Sequence, residues 1–400
     1  MKLWKKILLV LFCVLLLAQI PFIYNRYQFG NLHDKINQLQ NQKAGLPNQN
    51  YNDYKGVIHV HTFLGGHSTG TFEELILGAK ANNLDFVVMT EHTSEVFDTA
   101  AASLQGVQQG ILFVSGNELN TNDGNRFLLI NSLPDAHSFN KQTAAEFLEK
   151  AHSNGKLAFV TYPEKFKSWD AHFDGIEVFS LHTNAKQMNP ALFFFDALWS
   201  YRAYPELVLA KYFARPDENL KKFDEIAVRR KLTLFAGNDS HSNIGFHVGD
   251  DANNKLINFK FDDYETVLHL ARTHVLLEKD KQLTQENLLD ALKNGHAFIG
   301  FDVLSGTEGF LFSAENDAES RIMGDEISLQ TGVRLKANAP QNARFVIFKN
   351  GEKVFESEAT AEAIFEVKET GAYRVEVYLD ALGSPFDTMP WIISNPIYVR

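Results

Sequence analysis

The stretch HVHTFLGGHS, from His59 to Ser68, sets three of the chain's 14 histidines around a glycine pair. His59 and His61 end an apolar run two positions apart, so on a β-strand both imidazoles face the same side. Other apolar runs end in the same kind of residue. FVVMTEH closes on Glu91 and His92, ILFVSGNELN carries Glu118, and LFAGNDSHS ends in Asp239 and His241. One histidine or acid at a strand end is usually a cap or a solvated group. Four strand exits bearing them together describe ligands gathered at the C-terminal ends of parallel strands, where α/β enzymes collect reactive groups. Imidazoles mixed with a few carboxylates suit Zn, Mn or Fe ions, whereas Ca²⁺ takes all-oxygen sites. Two such ions about 3.5–4 Å apart can activate a shared water and clamp a phosphoryl or acyl oxygen. That chemistry needs no serine or cysteine nucleophile, and the one cysteine, Cys13, lies in the most apolar part of the chain. The Gly65-Gly66 pair permits a sharp turn that folds His67 back toward the same place.

Those side chains need strands to carry them. Candidate strands lie at 56–61, 84–90, 111–115, 156–161, 175–180 and 231–236, with amphipathic stretches such as TFEELILGAKANN and TAAEFLEKAHSNG between them. Such alternation implies parallel pairing in an α/β barrel or open sheet. After about Asp317 the pattern changes. Tyr373, Val375, Val377 and Leu379 alternate with Arg374, Glu376, Tyr378 and Asp380, which predicts a half-buried strand. Asn350-Gly351 between VIFK and EKVF predicts a two-residue hairpin. The last part of the chain is therefore expected to be a small antiparallel β-sandwich.

The chain of 400 residues is 45% hydrophobic, enough for a large core, and its net charge of −11 argues against a nucleic-acid partner. At the N-terminus, Lys2, Lys5 and Lys6 precede the apolar run ILLVLFCVLLLAQIPFIY, from Ile7 to Tyr24. Its length approaches the roughly 20 residues of a membrane-spanning helix. No good small-x-small cleavage site follows, so an uncleaved anchor is preferred to a cleaved signal peptide. Lysines upstream outweigh the lone Arg26 downstream, which places the body outside the cytoplasm. Residues 1–29 are read as anchor or signal, and the polar residues 30–51 as a stalk.

In order and in partial sequence, HVHT with His67-Ser68, then TEH, GNE, EVFSLH and GNDSH resemble the polymerase and histidinol phosphatase (PHP) superfamily of metal-dependent hydrolases. The ending MPWIISNPIYV looks like the carbaryl-hydrolase-like branch, in which a β domain follows the barrel. The resemblance implies a distorted (β/α)7 barrel over residues 52–317, a β-sandwich over 318–400, and two or three divalent ions (Zn, Mn or Fe). It implies that His59, His61, Glu118 and Asp239 hold one metal, and that His67, His92 and His241 hold another. Glu118 would also bridge to a third ion, with His182 as a further ligand. At the remaining position Tyr162 stands where the family usually has histidine, so it is a phenolic ligand, a hydrogen-bond donor to substrate, or a sign that this metal is weak or absent. Glu91 replaces a commoner aspartate.

The favoured expectation is hydrolysis of a phosphate mono- or diester, with a small-molecule ester as substrate and metal-activated water as nucleophile. Carboxyl-ester, carbamate or amide hydrolysis is the rival, and a scaffold that has lost turnover is the reading from a different class. His152, His269 and His274 are read as helix-end, packing or surface groups. His247 is placed at the pocket edge and outside the ligand set. The aromatic run Phe193 to Phe195 with Trp199 and Tyr201 is read as helix core, with a hydrophobic lid as the alternative. Lys165, Lys211 and Arg215 are candidate phosphate contacts.

Overall fold

The computed structural model describes residues 3–42, 50–249, 255–329 and 332–400; the side chains of 246–249 and 255–258, His247 among them, lie outside that set. The fold is mixed α/β around one large sheet. Its first part uses strands β1 (Tyr51–Val60), β2 (Phe86–Met89), β3 (Glu91–His92), β4 (Ile111–Val114), β5 (Gly116–Asn120), β6 (Arg126–Ile130), β7 (Leu157–Val160), β8 (Gly175–Ser180) and β9 (Thr233–Ser240).

Pairing runs as a circuit. β1 lies parallel to β2 and to β9, β2 to β4, and β3 to β5. β6 is antiparallel to both β5 and β7, and parallel pairing resumes from β7 through β8 back to β9. The antiparallel β6, RFLLI, is not among the strands expected from sequence; its apolar run, FLLI, is only four residues long and shows no period. The central strands are buried on both sides, as in Phe86–Met89 and Ile111–Val114, so they read as continuous apolar runs rather than alternating ones. The amphipathic stretches form helices α3 (Phe72–Ala81) and α4 (Ala144–Ser153). Each starts at a threonine whose side chain accepts from the backbone three residues on, while Glu74 or Glu146 reaches back to cap the threonine N–H.

The later chain is mainly antiparallel, with one parallel pairing of Glu326–Ile327 to Ile397–Val399. The long strand Arg334–Lys349 pairs with Leu311–Glu315 and Thr360–Glu366 in its first half, and with Glu352–Glu356 and Gly371–Tyr378 in its second. Asn350 and Gly351, at φ 52° and 87°, make the expected hairpin turn. Leu311–Glu315 is thus hydrogen-bonded into this antiparallel set. The 371–378 strand is buried on both faces rather than half-buried. Its Arg374 donates to both oxygens of Asp224 at 2.8 Å, and Glu376 accepts from Arg215 at 2.6 and 2.8 Å. Charged residues alternating in sequence therefore face inward, neutralised by partners from the first part of the chain.

Two helices open the described chain, α1 (Leu3–Leu17) and α2 (Ile20–Asn41). Together they form one segment, Leu3–Asn41, whose apolar window has a mean hydropathy of 2.7 and no buried share, which fits a membrane anchor or a signal sequence. The expected stalk differs. α2 continues through it and buries Phe29, Leu32 and Ile36 against the body, because these apolar residues at helical spacing form a stripe within a polar stretch.

His274 is no surface group. It is fully buried on the Arg272–Glu278 strand, with Nδ1 2.8 Å from Asp53 Oδ1 and Nε2 2.9 Å from Thr307 Oγ1. Burial alone would lower its pKa, but Asp53 and Asp302 raise it to about 10. A group whose folded pKa is raised stabilises fully below its unfolded pKa of about 6.5 and loses that contribution as pH climbs through the folded value. His274→Gln should therefore cost about 3–5 kcal/mol near pH 6. The gap in Tm between wild type and variant should shrink steadily as melts are run from pH 6.5 toward pH 10.

Candidate metal centre

Strand β1 carries His59 and His61 to the ends of its neighbours, but not by simple alternation. The register of β1 against both β2 and β9 shifts between Ile58 and Val60, and His59 adopts φ 70°. This bulge turns His59 inward beside His61, with ring centroids 5.1 Å apart. Tyr162 and Asp239, both just beyond or at strand ends, also take positive φ, 50° and 48°. Non-glycine residues tolerate that conformation only where surrounding contacts enforce it.

Four ligand atoms then converge. His59 Nε2 lies 3.6 Å from Glu118 Oε2 and 3.5 Å from Asp239 Oδ1, and His61 Nε2 lies 3.4 Å from each. Two donors held about 2.1 Å from one tetrahedral ion stand about 3.4 Å apart, so this spacing fits a shared cation. His59 Nε2, both His61 nitrogens, Asp239 Oδ1 and His241 Nε2 are buried with no hydrogen-bond partner. A divalent ion would engage His59 Nε2, His61 Nε2 and Asp239 Oδ1, which face one another in this dry site.

A second group joins His61, His92 and His241. The His61 ring lies 4.5 and 4.4 Å from theirs, which are 6.2 Å apart. Glu118 Oε2 is also 3.4 Å from His92 Nδ1, so this carboxylate stands between the two groups. His67 arrives through the turn at Gly66, φ 86°, with its Nε2 3.2 Å from His92 Nε2 and its ring 4.6 Å from His241. It borders the second group rather than joining its tightest set, a place His61 takes instead. His182 stands farther out, its ring 6.0 Å from His241 and 6.4 Å from Tyr162. Tyr162 donates its hydroxyl hydrogen to Asp239 Oδ2, leaving Oδ1 toward the histidines.

The surroundings fix these orientations. Buried Glu177 accepts from His59 Nδ1 at 2.8 Å, which leaves the Nε2 lone pair facing the centre. Sequence reasoning passed over Glu177; the available signal was a carboxylate in the middle of the apolar strand run GIEVFS. Gly237 makes room for it, because a Cβ there would sit 1.5 Å from Glu177 Oε1. His241 Nδ1 lies 2.9 Å from the Asp239 carbonyl, again directing Nε2 inward. Glu91 accepts from the Thr62 backbone N–H and hydroxyl, so it holds the turn that leads to His67.

The charges follow from burial and proximity. Burial would lower the His59 pKa, but Glu177 and Asp239 carry it well above the usual histidine value, so its Nε2 holds a proton that a bound cation would displace. Burial and the charge of His61 lower His92 and His241 to about 3, so both imidazoles are neutral, as metal ligands require. Burial also lowers His182. Against the opposing effect of burial, His59 and His61 hold Glu118 down at about 2 and Asp239 well below its normal range. Burial, with Asp239 and Glu118, pushes the Tyr162 phenol upward and keeps it protonated.

Beside this centre lie two contrasting walls. On one, Arg126 sits 4.7 Å over the Tyr162 ring and donates to Glu118 Oε1 at 3.1 Å, and Lys165 and Lys186 stand 5.6 and 5.9 Å from the same ring. Arg126 and Lys186 had not been singled out. On the other, a cavity of about 100 Å³ touches His182, Asp239 and His241 and is lined mainly by apolar side chains. Lys211 and Arg215 are excluded as phosphate contacts, since they pair with buried Asp196 and Glu376.

No family model and no curated protein matches the chain. Among solved structures it is similar to PsfC from Pseudomonas syringae PB-5123, at TM-score 0.38 and 15% identity, covering 63% of this chain and 94% of that one. It is also similar to the lesion-specific endonuclease PfuEndoQ from Pyrococcus furiosus, at TM-score 0.33 and 13% identity, covering 60% of this chain and 56% of the other. A third is endonuclease Q in complex with a 27-mer duplex substrate bearing an abasic lesion at the active site, at TM-score 0.32 and 13% identity over 60% and 57%. The chain thus spans little more than half the length of the endonucleases. This last complex corrects one expectation: the exclusion of a nucleic-acid partner, drawn from the net charge, does not stand.

If Glu177 orients His59, Glu177→Ala should weaken metal binding about 10–100-fold. Competition with a chelator should read that loss, and Gly237→Ala should shift it in the same direction by displacing the carboxylate.

Proposed function

We propose that the chain is a metal-dependent hydrolase of the PHP type, acting on an anionic phosphate ester, with the strand circuit as its distorted (β/α)7 barrel and the later antiparallel part as a β-sandwich. The observation that carries this reading is the set of buried, unpartnered imidazole and carboxylate atoms at mutual distances suited to shared cations. In it, His59, His61, Glu118 and Asp239 would hold one divalent ion and His67, His92 and His241 a second, while His182 and Tyr162 would flank the place of a third. Ions bound there would lower the pKa of a water and polarise the ester.

The chain's own groups do the rest. Glu177 fixes the His59 tautomer, and Tyr162 keeps its proton on Asp239 so that Oδ1 alone faces the ligands. Arg126, Lys165 and Lys186 form a cationic rim that attracts and orients an anionic group. That rim favours phosphorus over carbonyl chemistry, since a neutral ester gains little from three cations. The assignment to the carbaryl-hydrolase-like branch rests on the ending MPWIISNPIYV and the β domain alone. We read the N-terminal segment as an uncleaved anchor with the body outside the cytoplasm, on the strength of Lys2, Lys5 and Lys6 before the apolar run.

Metal analysis of the purified chain should find at least two equivalents of divalent ion; a stable metal-free protein would overturn the reading. In parallel assays, p-nitrophenyl phosphate or bis-p-nitrophenyl phosphate should be turned over faster than p-nitrophenyl acetate, and the reverse ranking would favour the carbonyl reading. His61→Ala and Asp239→Ala should abolish turnover while leaving the circular dichroism of the fold intact. Replacing Lys165 and Lys186 together by alanine should raise KM for the phosphate substrates about tenfold, a loss of about 1.4 kcal/mol, with little change for the acetate.

A further inference from the structure

The helix α6, which we define as Pro190–Ser200 following α5 (Leu181–Gln187), is apolar on opposite sides. Phe193 faces inward and lines the cavity beside Asp239 and His241, together with Met188, Leu209, Phe213 and Phe261. Leu192, Phe194 and Leu198 face outward and are 51%, 57% and 63% exposed. The aromatic run expected as helix core is thus divided: Tyr201 is buried in the core and Phe193 packs against it, while Phe194 and Trp199 face outward, so the helix is also a wall between a cavity and the outer surface.

That outer face is continuous with the N-terminal apolar helix. Asn25 Nδ2 donates to Asp196 Oδ1 at 2.8 Å, Arg26 to the Trp199 carbonyl at 2.9 Å, and Trp199 Nε1 to Gln19 Oε1 at 3.0 Å. The rings of Phe22 and Phe195 stand 5.2 Å apart. α6 is thus pinned where the fully exposed α1 ends, alongside exposed Ile20, Ile23, Tyr24 and Tyr27. Tyrosine and tryptophan at the end of an apolar helix form the aromatic belt of a membrane–water interface. A helix face of leucine and phenylalanine beside it is suited to lying in that interface.

We propose that α6 rests on the bilayer and that the substrate is an amphiphile drawn from it, with its anionic ester at the metal centre and the first few carbons of its hydrocarbon chain in the cavity behind Phe193. The proposal builds on the phosphoesterase reading by naming its substrate class. The surroundings match the two ends of such a molecule: Arg126, Lys165 and Lys186 gather around Tyr162, whose hydroxyl binds Asp239, and phenylalanine, leucine and methionine line the cavity that Asp239 also touches. A water-soluble phosphate ester would use the first wall and leave the second unfilled.

The test uses the full chain, metal-loaded, in phosphatidylcholine nanodiscs. Dodecylphosphonate, which carries the head and tail but no bond to hydrolyse, should bind at least tenfold more tightly than methylphosphonate in isothermal titration. Phe193→Ser should remove most of that preference. Equal affinity for the two phosphonates would overturn the proposal, whatever the assays say about the reaction. Failure of the phosphoesterase reading would show separately, as acetate turnover without phosphate turnover. In a second arm, the Phe194→Glu, Leu198→Glu double variant should take up dodecylphosphonate from phosphatidylcholine vesicles at least tenfold more slowly than the unsubstituted chain. Equal uptake from vesicles would overturn the bilayer as the source.

Discussion

The structure is organised around a crowd of lone pairs. His59 Nε2, His61 Nε2, Asp239 Oδ1 and Glu118 Oε2 face one another across 3.4–3.6 Å with almost no solvent. In a dry interior such acceptors lose their water and repel each other unless a cation or a proton stands among them. The left-handed conformations of His59, Tyr162 and Asp239 have the same origin. Each bends the end of a strand far enough to aim its side chain at that point, and the sheet holds it there. Gly237 belongs to this arrangement, because only an absent side chain leaves Glu177 its path to His59.

The rest of the chain supplies asymmetry and rigidity. The cationic rim around Tyr162 and the apolar cavity behind Phe193 give the centre two unlike walls. The later strands are tied to the first part through buried charge, Arg374 with Asp224 and Glu376 with Arg215, while His274 between Asp53 and Asp302 ties the Arg272–Glu278 strand to β1. Removing one member of such a group strands its partner in the interior, so these links set the registry between the two parts strongly. At the other end, α2 docks on α6 and thereby fixes where the apolar N-terminal helix leaves the body.

Much of the site was legible because metal-ligand chemistry restricts residue type. His59, His61, His92, Glu118, Asp239 and His241 all stood out as histidines or acids at the ends of apolar runs, and the structure gathers them. His67 was legible through its glycine turn, though it comes to rest at the border of the cluster. Glu177, Arg126 and Lys186 were not legible as parts of the site. A glutamate in mid-strand, an arginine opening a short strand and a lysine on a helix have ordinary explanations until the chain is folded. The alternation around Arg374 and Glu376 misled for a related reason: sequence pattern equates charge with exposure, and only long-range ion pairing reverses it.

By itself, then, the sequence determined the kind of chemistry, the ligand types, the alternation of strands and helices up to the antiparallel part, and the apolar N-terminal segment. These are set by local periodicity and by the narrow choice of side chains that bind divalent ions. Tertiary structure alone decided that His61 belongs to both convergent clusters of side chains and that His182 lies farther out. It also decided that α2 is docked rather than a free stalk, and that the aromatic helix separates a cavity from the outside. Each of those depends on which distant segments meet, and a side chain's partners across space are not written in its neighbours along the chain.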